Sequence, residues 1–482
     1  MSLRTLCLVV LLNAAITRSP AQTFNKLVNF TYANGAAPSN ARLVQGPDGD
    51  LYGTTVYGGN CSLYDLGCGT IFKMTPAGKL TTLHVFSGPD GAFPFAGLVF
   101  ATDGAFYGAT EAGGANCSAS TGGCGTVFRM NRSGTLTTLH SFCAQANCAD
   151  GYEPFGTLVQ AANGKLYGTT LFGGASASST SLGCGTVFEV TLSGTVTTLA
   201  SFFDQSGGCT PEKLMQATNG DFYGTTLGGT VFKVTPQGQL TTLYTFCSQA
   251  NCADGEVPVG GVMEATDGNL YGVTELGGNT LACTGGCGTV FQLTPGGKLT
   301  TVHSFAYTDG YTPFAGLMQA TDGNLYGSTL EGGYTYTCPG GCGNIFEITT
   351  SGTFTILYSM TPQNKEAFPA SPLMQATDGT FYGNTYIGGY DSAGTVFSLS
   401  TGLGPFVKAI PDIGKVGTAV KILGTDLTGA TSVTFNGTAA AFQVIGASEI
   451  STTVPAGATT GTLEVVTPAG TLSSRIAFGV RQ

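Results

Sequence analysis

The stretch "ATDGNLYG" occupies residues 265–272 and recurs unchanged at residues 320–327. Related phrases stand at Asp48, Asp103, Asn163, Asn219 and Asp378, so one unit is written seven times. Aligned on their tyrosines, Tyr52, Tyr107, Tyr167, Tyr223, Tyr271, Tyr326 and Tyr382, the units repeat at 55, 60, 56, 48, 55 and 56 residues. Around Tyr271 a unit holds four short runs, "GGVMEAT", "NLYGVTE", "GTVFQLT" and "KLTTVHSF". Val, Phe, Tyr, Thr and Leu alternate with small residues there, as strands do. "TDGN" separates the first two runs and "TPGGK" the last two, both suited to tight hairpins. A period near 50 built from four antiparallel strands is the size of a propeller blade; a β-helix rung is far shorter.

The ends of the repeat predict a closed ring. The seventh unit has "SPLMQAT", "TFYGNTY" and "GTVFSLS" but no fourth run, while "FNKLVNF" precedes the first unit and resembles one. Lys26–Phe30 is therefore expected to complete the last sheet and leave no open edge. The expected fold is all-β: a seven-bladed β-propeller over residues 22–402, closed by an N-terminal strand, then an immunoglobulin-like β-sandwich over residues 405–482.

Residues 1–21 read as a secretory signal, with Arg4, an apolar stretch from Leu6 to Ala15, and small residues before Gln22. A retained anchor helix is the rival, and the apolar run is short for one. Without Arg4 and Arg18, 16 Lys and Arg face 28 Asp and Glu, a net charge of −12. Such a surface argues against nucleic-acid partners and against adsorption to anionic membranes. No later stretch is long and apolar enough for membrane insertion. The expected location is secreted, extracellular, periplasmic or loosely surface-attached, and the expected state is a monomer.

Cys7 leaves with the signal. The other fourteen cysteines are Cys61/Cys68, Cys117/Cys124, Cys143/Cys148, Cys247/Cys252, Cys283/Cys287, Cys338/Cys342, Cys184 and Cys209. An even count, close spacing and export favour disulfides over zinc, since no histidine lies beside these pairs. Nearly all fall in the loop between second and third strands or in the exit loop, which share one face. Cys184 and Cys209 occupy those two loop classes of one unit, and whether they pair stays open.

The units resemble the GloVer repeat of exported bacterial proteins, whose pattern runs DG-x-LYGTT-xx-GG and then GTVFK-x-TP-x-G-x-LTTLYSF. The resemblance covers residues 24 to about 402 and implies a location and a shape, without an activity. Residues 405–480 resemble the IPT/TIG domain through Val420–Gly424, Val433–Gly437, Ile450–Pro455 and Leu463–Gly470. In extracellular bacterial proteins that likeness implies a spacer or adhesive unit.

His84, His140 and His303 share one slot of the fourth strand, which Ala200, Tyr244 and Tyr358 fill elsewhere. A shared slot reads as packing; a general base needs a unique setting and a partner. The Asp of the repeated phrase interchanges with Asn163 and Asn219, as in a side chain that caps its own turn, whereas calcium would lose a charged ligand. Exit-loop Asp90, Asp150, Asp254 and Asp309, with Glu111, Glu275 and Glu331, read first as turns and solvated charge, and alternatively as an acidic rim. Tyr57, Phe172, Tyr334, Tyr336 and Tyr390 lie near that face, and aromatic rings stack on sugars as well as on each other. No G-x-S-x-G, phosphate-cradling loop or H-E-x-x-H is present. No cofactor and no metal are expected. The leading expectation is a non-catalytic binding protein for extracellular glycan or protein. The alternative is a polysaccharide-acting enzyme using the carboxylates of that face.

Overall fold

The computed structural model describes residues 22–481 apart from 39–41, 62–63, 117–122, 176–181, 204–207, 279–282, 334–337, 339–340 and 362–365. The expected signal, Cys117, Tyr334 and Tyr336 lie outside the described residues. Among the described residues nearly all regular structure is β, with two single 3-10 turns at Ala146–Cys148 and Ala250–Cys252.

Residues 23–400 form seven antiparallel sheets among the described residues. The first runs Val44–Gln45, Leu51–Thr55, Thr70–Met74, Leu80–Val85, from a short inner strand to a half-exposed outer one. The next five repeat this order. Successive four-stranded meanders of this kind are the architecture of a β-propeller. The N-terminal strand, Thr23–Asn29, pairs antiparallel with Thr395–Ser400, from Thr23↔Ser400 to Asn29↔Thr395, as the outer strand of the last sheet. It begins three residues before the expected Lys26. Phe24 stacks on Tyr358 of the preceding sheet at 3.8 Å between ring centroids.

Each sheet packs through one repeated device. The glycine of "LYG" lies beneath the phenylalanine of the "GTVF" strand. Placing a Cβ on Gly108 or Gly168 would bring it to 2.5–2.6 Å from Cζ of Phe128 or Phe188. The sequence keeps glycine where an aromatic ring needs the room. Beside it, buried threonine hydroxyls bond across the two strands, Thr110 to Thr126 at 2.8 Å and Thr274 to Thr289 at 2.8 Å.

Six of the seven phrase tyrosines are hydrogen-bonded to their turn residue. Tyr52, Tyr107, Tyr271 and Tyr326 donate to Asp48, Asp103, Asp267 and Asp322 at 2.7–2.9 Å. Those aspartates also accept backbone N–H groups two residues on, as at Ala105 and Asn269. In the third and fourth sheets Asn163 and Asn219 donate to Tyr167 and Tyr223 instead, both at 2.8 Å.

Beyond residue 404 two four-stranded sheets face each other across a separate apolar core of Val420, Ile422, Val433, Phe435, Ile450, Leu463 and Val465. This module sits on the tight-turn face of the repeat. Ser448 donates to the Pro47 carbonyl at 2.6 Å, Phe406 N–H to Thr377 at 2.9 Å, and Arg132 pairs with Glu449 at 3.4 Å. Ile410 and Leu423 join the core of Tyr52, Phe100 and Phe106. No helix among the described residues is long and apolar enough to cross a membrane.

Candidate functional site

The cysteine-bearing loops form the opposite face. Cys61–Cys68, Cys283–Cys287 and Cys338–Cys342 close loops between second and third strands, and Cys143–Cys148 and Cys247–Cys252 close exit loops. Cys184 and Cys209 are bonded to each other, which settles the open pairing and ties the two loop classes together. The sulfurs of Cys124, Cys143 and Cys148 lie within 4.8 Å of one another, but all three are disulfide-bonded and offer no thiolate set.

These loops hold a strained segment at the entrance to each inner strand. The residue before the entry proline, Ala37, Phe93, Glu153, Thr210, Val257, Thr312 or Phe368, has φ of 51–60° in every sheet. Left-handed backbone at a non-glycine residue costs about 1–3 kcal/mol and persists only where surroundings enforce it. The staples take part in that enforcement. The N–H groups of Phe93, Glu153, Thr210, Thr312 and Phe368 donate to the carbonyls of Cys68, Cys124, Cys184, Cys287 and Cys342 in the preceding sheet.

The four exit-loop aspartates are engaged within their own loops. Asp90 Oδ2 lies 2.8 Å from His84 Nε2, while Oδ1 accepts from Ser87 N–H and hydroxyl. Asp150, 1% exposed, lies 3.1 Å from His140 Nε2 and accepts from Ala144 and Gln145 N–H. Asp254 accepts from the Tyr244 hydroxyl at 2.7 Å and from Ser248 and Gln249. Asp309 accepts from Ala306 N–H and lies 3.2 Å from His303. The histidine and tyrosine slot thus anchors the exit loop besides packing. These bonds hold the carboxyls of Asp90, Asp150 and Asp254 below their ordinary range, against the opposing effect of burial.

The glutamates are placed differently. Glu111 is largely enclosed, and its Oε2 has no hydrogen-bond partner among the described residues. Burial, then the charge of Glu153, pushes it up to about 7. Burial also raises Glu153 and Glu275. Glu212, buried and accepting from Gly260 N–H at 3.0 Å, reaches about 7 for the same cause. Glu331 bridges its backbone to Tyr311. Aromatic rings lie between these groups: Tyr57 against Phe93 at 5.6 Å, Phe172 on Tyr152 at 5.4 Å, Tyr307 on Tyr311 at 5.0 Å. Tyr386 and Tyr390 are 38% and 74% exposed. Charge acts between neighbouring sheets here, from Tyr386 to Tyr57, from Glu153 to Glu111, and from Glu275 to Tyr311.

Residues 15–181, 174–397 and 227–443 match the model of the Gloeobacter/Verrucomicrobia repeat. The chain belongs to that family. No curated protein matches this Gloeobacter/Verrucomicrobia repeat protein. A streptogramin B lyase structure is similar at 16% identity and a TM-score of 0.53, covering 79% of this chain and 97% of that one. The virginiamycin B lyase of Staphylococcus aureus is similar at 15% and 0.52, covering 79% and 99%. A fungal alcohol oxidase of the AA5 family, solved with copper, is similar at 14% and 0.51, covering 95% and 99%. At such identities the likeness is one of fold.

The repeat protein's Glu153, Glu212, Arg42 and Lys213 were not singled out from sequence. The signal was available as departure from the repeat. Arg42 and Lys213 precede the inner-strand Leu43 and Leu214, where other units carry Gly97, Thr157, Gly316 or Pro372.

Proposed function

We propose that this is an exported, monomeric, non-catalytic binding protein that recognises carbohydrate on the disulfide-stapled face of a closed seven-bladed propeller. Residues 1–21 are then its cleaved signal, and the C-terminal module is an immunoglobulin-like IPT/TIG unit on the far face. The observation that carries the reading is the aromatic rim. Tyr57, Phe172, Tyr307, Tyr311, Tyr386 and Tyr390 lie on this face, Tyr57 and Phe172 beside cysteine-stapled loops and Tyr307 and Tyr311 stacked on each other. Flat rings held in place stack on sugar faces with little loss of rotamer freedom. Asp90, Asp150, Asp254 and Asp309, bonded within their loops, support that rim instead of facing a ligand.

A panel of soluble and insoluble polysaccharides tests this. Retention on one polysaccharide without new reducing ends, lost in Tyr386→Ala with Tyr390→Ala, is expected. Absence of retention on every glycan rejects it.

One observation favours a polysaccharide-acting enzyme instead: Glu111, held near neutrality beside Glu153, has the environment of a general acid. Product release abolished by Glu111→Gln with binding retained would select that reading.

A further inference from the structure

The C-terminal module reaches across the repeat. On one side it contacts the first, second and seventh sheets through Ser448, Glu449 and Phe406. On the other, the Arg481 guanidinium packs on Gly220 in the turn of the fourth sheet. The module therefore covers the axis on the tight-turn face, where the innermost strands converge.

Cations gather at that covered end. Arg42 leads into the inner strand of the first sheet, two residues before Val44. From the module comes Lys408, at the start of the strand Lys408–Ile410. A parallel bridge from Val407 to Ser474 sets Arg475 beside Lys408. The Arg42 charge acts on both Lys408 and Arg475. Asp412 is the one carboxylate acting on them. Among the described residues Arg42, Lys408 and Arg475 enter no ion pair. The three cations and Asp412 are surrounded by protein, yet each keeps solvent access, and Lys408 and Asp412 keep much of it. None of the four sits in a packed core.

We infer that the space between the inner strands and the C-terminal module is a binding site for a small multivalent oxyanion, held by Arg42, Lys408 and Arg475. With Lys213, which also feels the Arg42 charge, four cations face only Asp412 and Glu212; they repel one another, and partial enclosure makes such repulsion expensive. Burial and these neighbours hold Lys408 down to about 8 and Arg475 to about 9. An anion with two or more charges removes the repulsion. Two guanidinium forks from different modules suit the paired oxygens of phosphate, sulfate or carboxylate. The net charge of −12 on residues 22–482 gives monovalent anions little long-range attraction, so local valence decides affinity.

The test uses the full chain. Calorimetry with inorganic phosphate, inorganic sulfate and citrate, at ionic strength held constant by sodium chloride, is expected to give saturable 1:1 binding. Affinity falls at least tenfold in Arg42→Gln and in Lys408→Gln, which lie on separate modules, and is unchanged in the exposed Lys415→Gln. Crystals soaked in tungstate are expected to show an anomalous peak between Arg42, Lys408 and Arg475. No saturable heat with any of the three anions, parental affinity in both variants, or a peak elsewhere overturns the proposal. Should one variant fail to fold, the other and the tungstate peak decide.

Discussion

The backbone N–H of Thr377, in the turn of the last sheet, donates to Gln45 Oε1 on the inner strand of the first sheet at 2.9 Å. The same bond joins Thr102 to Gln160, Ala162 to Gln216, Thr218 to Glu264, Thr266 to Gln319 and Thr321 to Gln375. The join of last sheet to first is thus made like joins between sheets consecutive in sequence. Between the first and second sheets the device is absent for a chemical reason. Pro47 occupies the donor position and has no N–H, and the buried Phe100 replaces the glutamine. Gln45→Ala is expected to lower stability by about 1–2 kcal/mol, the loss of a bond that leaves its partner unsatisfied. Phe100→Gln should cost more, about 3 kcal/mol, by removing core volume and stranding an amide. Adding Pro47→Thr should recover part of that loss in urea melts. Equal stability with and without Pro47→Thr would refute the pairing.

Direction reverses in the tyrosine anchors. Asn163 donates to Tyr167, so the hydroxyl donates its own hydrogen bond to Glu189 Oε2 at 3.0 Å. Where the turn residue is Asp267, Tyr271 donates to it and accepts from Gln292 at 2.7 Å. Asn163→Asp therefore leaves one hydroxyl proton for two carboxylates and should destabilise by about 1 kcal/mol. Glu189→Gln in that background recreates the arrangement around Tyr271 and should restore stability. A double-mutant cycle with no coupling would refute the account.

The repeat and its hairpins were legible because turn chemistry and strand alternation are local. The interchange of Asp and Asn at 163 and 219 also read correctly as a turn signature, since the side chain bonds its own loop. The entry strain was hidden. A residue before proline ordinarily adopts extended backbone, and nothing in "AFP", "YEP" or "EVP" announces the left-handed conformation. Three-dimensional enclosure was hidden as well. Glu111 looks like any other loop glutamate in sequence, but enclosure by its neighbours raises it to about 7. Asp150 read first as a turn residue carrying solvated charge, and it is 1% exposed, with its exit loop folded back onto His140.

Glu111 gives a pH-dependent expectation. Its folded value, about 7, lies above the ordinary 4.5, so folding favours the protonated form. That contribution is complete below about pH 4 and is lost as pH rises through 7. Glu111→Gln, which stays neutral, should match the parent at pH 4 and exceed it at pH 8 by up to about 3 kcal/mol, from 1.36 kcal/mol per unit. Denaturant midpoints at the two pH values measure this. A stability difference that does not change between them would place the carboxyl in open solvent.

The staples should rank by the chain they enclose. Cys184–Cys209 spans 25 residues, whereas Cys283–Cys287 spans 4. Loop-closure entropy assigns about 3.5 kcal/mol to the first and about 2 kcal/mol to the second. Replacing both cysteines of a pair by serine should lower the urea midpoint in that order. The long staple carries a second role, since Cys184 accepts the N–H of Thr210, a β-branched residue at φ 60°. Without the bond, the enforcement that keeps Thr210 left-handed weakens, and the strain there is released by local rearrangement. Thr210→Gly removes that strain at its source. It should stabilise the parent more than the serine double variant, because in the double variant local rearrangement has already released the strain. Equal gains in both backgrounds would separate the disulfide from the strained entry and leave it as a simple loop closure.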